Sequence, residues 1–178
     1  MKKAICILSC AILSLVFISH TFAADVAKIG VIDFKEIIKQ STAGKMVGKQ
    51  LGDKQKELVD KINAERTQFN EFTKNFEREK LVLSEEQIRE KERTARIKYN
   101  DITKMQEDST RELKKLEYEL ITKIQQKVTE ISSEIGKTQG FLLILEKSSA
   151  GVIYSPDHID ITDKVIKAYN LEMAKIKQ

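Results

Sequence analysis

Few residues in this sequence could do covalent chemistry, and their spacing argues against each role. Ala43-Gly44-Lys45 looks superficially like part of a phosphate-binding loop. That loop needs a Gly five residues before Gly44 and a Ser or Thr after the Lys. Position 39 is Lys and position 46 is Met, so both requirements fail. Beyond residue 23 there is one His, His158, and no Cys. Metal ligation and nucleophilic catalysis therefore lack their usual side chains. His158 follows Pro156-Asp157 and reads as a turn residue. Asp33, Asp160 and Asp163 are carboxylates whose positions suit helix or turn capping. The sequence predicts a protein without catalytic residues, metal or other cofactor, so its function must lie in the elements themselves.

The first segment to set aside is the N-terminus. Lys2 and Lys3 precede an apolar run from Ala4 to Phe17, and Thr21-Phe22-Ala23 ends it with small residues at the positions of a cleavage site. This is the three-part pattern of a signal peptide over residues 1–23. The apolar run is too short for a membrane span, which needs ~20 residues. Ile7-Leu8-Ser9-Cys10 loosely resembles a lipoprotein box. Only a few apolar residues precede Cys10 and the run continues beyond it, so lipid anchoring through Cys10 is the less favoured reading. Export implies an oxidising compartment, and a cysteine-free mature chain must hold together without disulfides. Without Lys2 and Lys3 the chain carries 29 Lys+Arg against 27 Asp+Glu. So even a balance, with no concentrated basic face, excludes nucleic acid as the expected partner.

Glycine and proline divide the rest. Gly occurs at 30, 44, 48, 52, 136, 140 and 151 and the single Pro at 156, with neither between Asp53 and Ile135. That stretch is rich in Glu, Lys, Gln, Arg and Leu, all good helix formers. From about Ser41 to Lys80, Val47, Leu51, Leu58, Ile62, Phe69, Phe72 and Phe76 recur at helical-hairpin spacing. The pattern breaks at Leu81-Val82-Leu83, and Ser84 and Gln87 have the spacing of a capping box. A second helix to about Lys137 carries Ile88, Ala95, Tyr99, Ile102, Leu113, Leu116, Leu120, Ile124, Val128, Ile131 and Ile135. One unbroken helix is the alternative. It is disfavoured because β-like segments flank the helical region, and only a hairpin brings Val31 near Ile144. Expected strands are 29–34, the apolar run 141–145 as a strand buried on both faces, and 151–154; a last amphipathic helix starts near Thr162.

The expected fold is α+β and mostly α. A small β-sheet body (24–40 and 138–178) carries a long antiparallel helical hairpin (41–137, tip near 80–86) within a single domain, 24–178. Each arm should reach ~60–80 Å at ~1.5 Å per residue. A body this small is expected to oligomerise through its strand region, with Ile29, Val31, Ile144, Val152 and Tyr154 as body-core or interface residues.

With that plan in place, the segment 29–34 (IGVIDF) followed by Ser41-Thr42-Ala43-Gly44-Lys45 resembles the N-terminal signature of the Skp/OmpH family of outer-membrane chaperones. The segment 148–166 (SSAGVIYSPDHIDITDKVI) is similar to the family's C-terminal signature, and the helical region between them matches in length and pattern only. The resemblance implies a homotrimer with helical tentacles around a cavity. It also implies an ATP-independent periplasmic holdase that keeps unfolded outer-membrane proteins soluble until insertion. Lipopolysaccharide or a membrane surface is a further expected partner. The best-known member is strongly basic and this chain is nearly balanced, so no lipopolysaccharide site is carried over.

Candidate client contacts are Leu81, Val82 and Leu83 at the tip, with Phe69, Phe72 and Phe76 either beside them or filling the seam. Gly44, Gly48 and Gly52 share one helical face and are read either as an arm hinge or as sites of close approach. The competing function from another class is a non-catalytic coiled-coil spacer or adaptor of the cell envelope that binds one folded partner.

Overall fold

The computed structural model describes residues 27–176. The expected signal peptide and Cys10 lie outside the described residues. The element order is β1 (Ile29–Ile32), α1 (Phe34–Gln40), α2 (Thr42–Glu79), α3 (Glu85–Gln139), β2 (Leu143–Glu146), a 3-10 turn (Asp157–Ile159) and α4 (Thr162–Ile176). The fold is α+β and dominated by the long pair α2–α3. At 38 and 55 residues, these helices are about 57 and 83 Å long.

Caps set each boundary. The Asp33 side chain accepts the Glu36 N–H at 3.1 Å and starts α1. Ser41 then serves two helices. Its N–H donates to the Ile37 carbonyl at 2.9 Å, closing α1, and its hydroxyl accepts the Gly44 N–H at 3.0 Å, opening α2. The corner is tight and Ser41 is fully buried. A side chain at Gly44 would overlap the Ile38 carbonyl, so only Gly lets the two helices meet there.

At the far end, Lys80 and Val82 donate their N–H groups to the Phe76 and Glu79 carbonyls at 2.9 Å. Ser84 and Gln87 form the expected capping box: Ser84 N–H donates to Gln87 Oε1 at 2.9 Å, and Gln87 N–H donates to Ser84 Oγ at 3.3 Å. α3 ends at Gly140, whose φ of 68° is left-handed, the usual role of glycine at a helix C-terminus.

The sheet differs from expectation. It has two parallel strands, β1 and β2, in the register Ile29↔Leu143 to Ile32↔Glu146. A single bridge, Val31↔Asp160, adds a third segment on the other side of β1. The expected strand at 151–154 is absent; those residues form no ladder. A β-branched run becomes a strand only where a neighbouring strand takes its backbone hydrogen bonds, and among the described residues no strand lies beside it. The 141–145 run is not buried on both faces either. Leu142 and Leu143 are exposed, and β2 begins at Leu143.

The core lies where α3 meets the sheet and α4. It comprises Ile32, Ile37, Ala43, Ile124, Val128, Ile131, Ile135, Ile161, Val165, Ile166 and Tyr169. The steps of 4, 3 and 4 from Ile124 to Ile135 put four side chains of α3 on one face. Tertiary bonds join distant segments to this core. Asp33 N–H donates to Thr162 Oγ1 at 2.9 Å, and Thr42 N–H donates to Asn170 Oδ1 at 2.8 Å.

Candidate functional site

Two regions could act on other molecules: the arm with its tip, and the body. In the arm, α2 and α3 close on a narrow apolar seam in which Leu58, Phe76 and Ile102 are buried. The Phe69 and Tyr99 rings sit 6.3 Å apart across it. Lys54 crosses the seam to Glu112 at 2.9 Å, and Lys91 pairs with Glu79 beside the tip. Some charges on the arm surface pair along a helix, as Lys49 does with Asp53 and Lys61 with Glu57. Glu112 and Glu57 hold the Lys54 ammonium above its ordinary pKa, burial opposing them only in part.

Of the six expected client-contact residues, Phe76 is 6% exposed and belongs to the seam. Phe69 and Phe72 are half-buried in the same groove, and Leu83 is half-buried where the chain turns into α3. Leu81 and Val82 are different, being 95% and 84% exposed. The turn that carries them is hydrogen-bonded at both ends, so an ordered backbone presents two bare apolar side chains. Sequence reasoning did not single out Ile97 and Tyr118, which are also exposed on α3. They lie off the seam stripe, so apolar periodicity passes over them.

The three glycines part company. Gly44 sits against Ile38, whereas Gly48 and Gly52 have open space where a side chain would stand. Of the hinge candidates, only Gly48 and Gly52 have no packing reason to be glycine.

In the body, Val31 is buried and Ile144 packs against the core, while Val152 is half-buried. Ile29 and Tyr154 stand exposed and are not part of the chain's own core. Ile153, beside Tyr154, is fully exposed. The turn between β2 and this segment is well organised. Glu146 accepts N–H groups from Ser149 at 2.6 Å and from Phe34 at 3.3 Å. Burial pushes the Glu146 carboxyl up, but these hydrogen bonds outweigh it and hold the group below its ordinary pKa. Lys147 reaches Asp160 at 2.6 Å. Burial likewise pushes Asp160 up, and the bonds from Lys147 and Thr162 bring it below its ordinary value.

Among the described residues no group of three or more His, Cys, Asp or Glu is placed to hold a metal ion, and no helix is long and apolar enough to cross a membrane. The arrangement offers contact surfaces: a long charged arm with an apolar end, and a body with an unpaired strand edge.

The family model described as outer membrane protein (OmpH-like) matches residues 28–169. No curated protein matches the chain. Among solved structures, the chain is similar to a candidate outer membrane chaperone (OmpH-like) from Caulobacter crescentus CB15. The TM-score is 0.76 at 17% identity, covering 83% of this chain and 86% of that one. At that identity the likeness establishes the fold.

Proposed function

We propose, since the chain belongs to the OmpH-like outer membrane protein family, that it is an ATP-independent periplasmic holdase chaperone that binds unfolded outer-membrane proteins and keeps them soluble until insertion. The observation that carries this reading is the near-complete exposure of Leu81 and Val82 at the end of an ordered arm. Apolar side chains held in water by a hydrogen-bonded turn contribute nothing to folding and offer attraction in proportion to the area a client covers. Such contacts are weak, plural and non-directional, as capture of many unfolded sequences requires. Charges of both signs are interspersed along the arm and keep the empty chaperone soluble.

The same reading includes a homotrimer joined through the body. An isolated two-stranded sheet is marginal, and an open strand edge invites another chain. Among the described residues β2 has a free edge, and the exposed segment with Ile153 and Tyr154 has β-forming residues and no strand partner. Several arms acting on one client raise avidity through effective concentration. No catalytic group, metal or nucleotide takes part, and export places the protein in the periplasm with its clients.

The test is light scattering of an unfolded outer-membrane β-barrel protein diluted from urea without ATP, with the protein's mass measured by multi-angle scattering. Suppressed scattering at about one oligomer per client supports the holdase. Unchanged scattering from correctly folded protein points instead to an envelope adaptor with one folded partner.

A further inference from the structure

Between α3 and β2 the body has a groove in two connected stretches of about 430 and 470 Å³, which share Ile32, Thr129 and Glu146. Phe141 and Ile144 wall the first stretch, and α3 floors it with small side chains, Ser132 and Gly136. The groove follows β2, the strand with a free edge. Ser132 is 7% exposed, and its hydroxyl has no hydrogen-bond partner. Thr129, one turn earlier on the same helix, donates its hydroxyl to the Gln125 carbonyl at 2.9 Å. Ser132 makes no such bond. A buried hydroxyl left without a partner is uncommon in a finished structure, so the groove is an apolar slot with one polar point waiting in its floor.

The same body carries a segment of matching chemistry. Ile153 is fully exposed and Tyr154 is 83% exposed. The Val152 N–H reaches the Lys147 carbonyl at 3.0 Å, and the next backbone N–H along the chain to reach a backbone carbonyl is that of Ile159, which donates to Pro156 at 3.2 Å. The stretch is thus held at both ends and bare between them. Neighbouring residues of an extended segment point to opposite faces, so only one of the two side chains can enter a groove. Tyr154 is the one with a polar tip. Its ring can cover apolar walls while its phenol donates to, or accepts from, a hydroxyl. The chain does not use its own Tyr154 in this way, since that ring stands in water.

We infer that the groove between α3 and β2 receives Tyr154 of a second copy, the ring lying against Phe141 and Ile144 and the phenol hydrogen-bonded to the Ser132 hydroxyl. The inference rests on the oligomer joined through the body and names the side-chain contact that joins it. One copy gives the segment and the next gives the groove, so the interface is heterologous. A ring closed by such contacts leaves no groove empty and no segment bare.

The test is the mass of the protein over a dilution series, measured by multi-angle scattering for Tyr154→Phe, Ser132→Ala, the double variant and Tyr154→Ser. Tyr154 is exposed within the chain, so its variants probe the contact without disturbing the fold. Each single loss of a hydroxyl leaves the other buried and unpaired, and should raise the concentration of half-dissociation about fivefold. The double variant leaves neither unpaired and should hold together better than either single one. Tyr154→Ser removes the ring as well and should weaken assembly at least tenfold. Tyr118→Ser, an equal change at an exposed tyrosine of the arm, should assemble as the unaltered protein does. If the unaltered protein is a monomer at every concentration, the reading of a body-joined oligomer fails and the inference fails with it. If it is an oligomer that Tyr154→Ser leaves intact, or if the two hydroxyl losses simply add, the inference alone is overturned. If Tyr154→Ser assembles normally but no longer holds unfolded clients, the segment contacts clients and the inference is again overturned.

Discussion

Gly44 and Ile38 meet so closely at the corner between α1 and α2 that the Ile38 carbonyl occupies the space a Gly44 side chain would need. That contact turns the chain from the body into the arm. Gly44→Ala must push the two helices apart and should cost about 2–3 kcal/mol, as forced overpacking does. Gly48→Ala and Gly52→Ala meet nothing and should stabilise the protein by up to about 1 kcal/mol each. Urea unfolding of the three single variants separates the cases. If Gly48 and Gly52 form the arm's hinge, their double replacement should also narrow the range of client sizes held.

The tip turn depends on Ser84. Ser84→Ala removes the hydroxyl that accepts the Gln87 N–H and should cost about 1 kcal/mol. The loss is local, because the arm is long and the body lies at its other end. Hydrogen exchange should show faster amide exchange for residues at the start of α3, with protection in the core of the body unchanged.

Leu81 and Val82 make few contacts within the chain, so Leu81→Ser/Val82→Ser should leave the midpoint of unfolding within about 0.5 kcal/mol of the original. Suppression of client aggregation should fall at the same time. Phe76→Ala should do the reverse. Its ring is buried in the seam, and its loss should cost about 3 kcal/mol or more.

The Lys147–Asp160 pair gives the body a defined pH dependence. Asp160 titrates below its ordinary 3.8 in the folded protein. Its contribution to stability is therefore full above that value and is lost as the pH falls through the lower, folded one. Lys147 titrates above its ordinary 10.5, so its contribution is full below that value and lost as the pH rises beyond it. Lys147→Met should lower stability by about 1 kcal/mol at neutral pH. Thermal unfolding below pH 3 should show a smaller gap between the variant and the unaltered protein.

The hairpin was legible because its signals are local. Seam residues repeat at helical spacing, Ser41 and Ser84 cap the helices they precede, and the glycine-free interval between Asp53 and Ile135 marks the long elements. The body was less legible because its structure depends on residues far apart in sequence. The run around Ile153 has every local feature of a strand, yet it forms none within the chain, since a strand exists only with a partner. Gly44, Gly48 and Gly52 share one spacing, but only the first touches another element. The approach of Lys28 and Lys164 to the Phe141 ring joins three separate segments and leaves no periodic trace.

The parallel pairing of Ile29 with Leu143 also fixes an order of events. The two partners lie more than a hundred positions apart, and a parallel ladder cannot form until its second strand is present. During synthesis from the N-terminus, β1 and α2 emerge well before β2. The arm can zip from its tip through neighbouring contacts as soon as α3 follows. Closing the body then requires only a short loop search, because the zipped hairpin has already brought the two ends together. Breaking the arm seam should therefore slow folding of the body more than a lesion of equal cost in α4, even though the seam contributes no residue to the sheet.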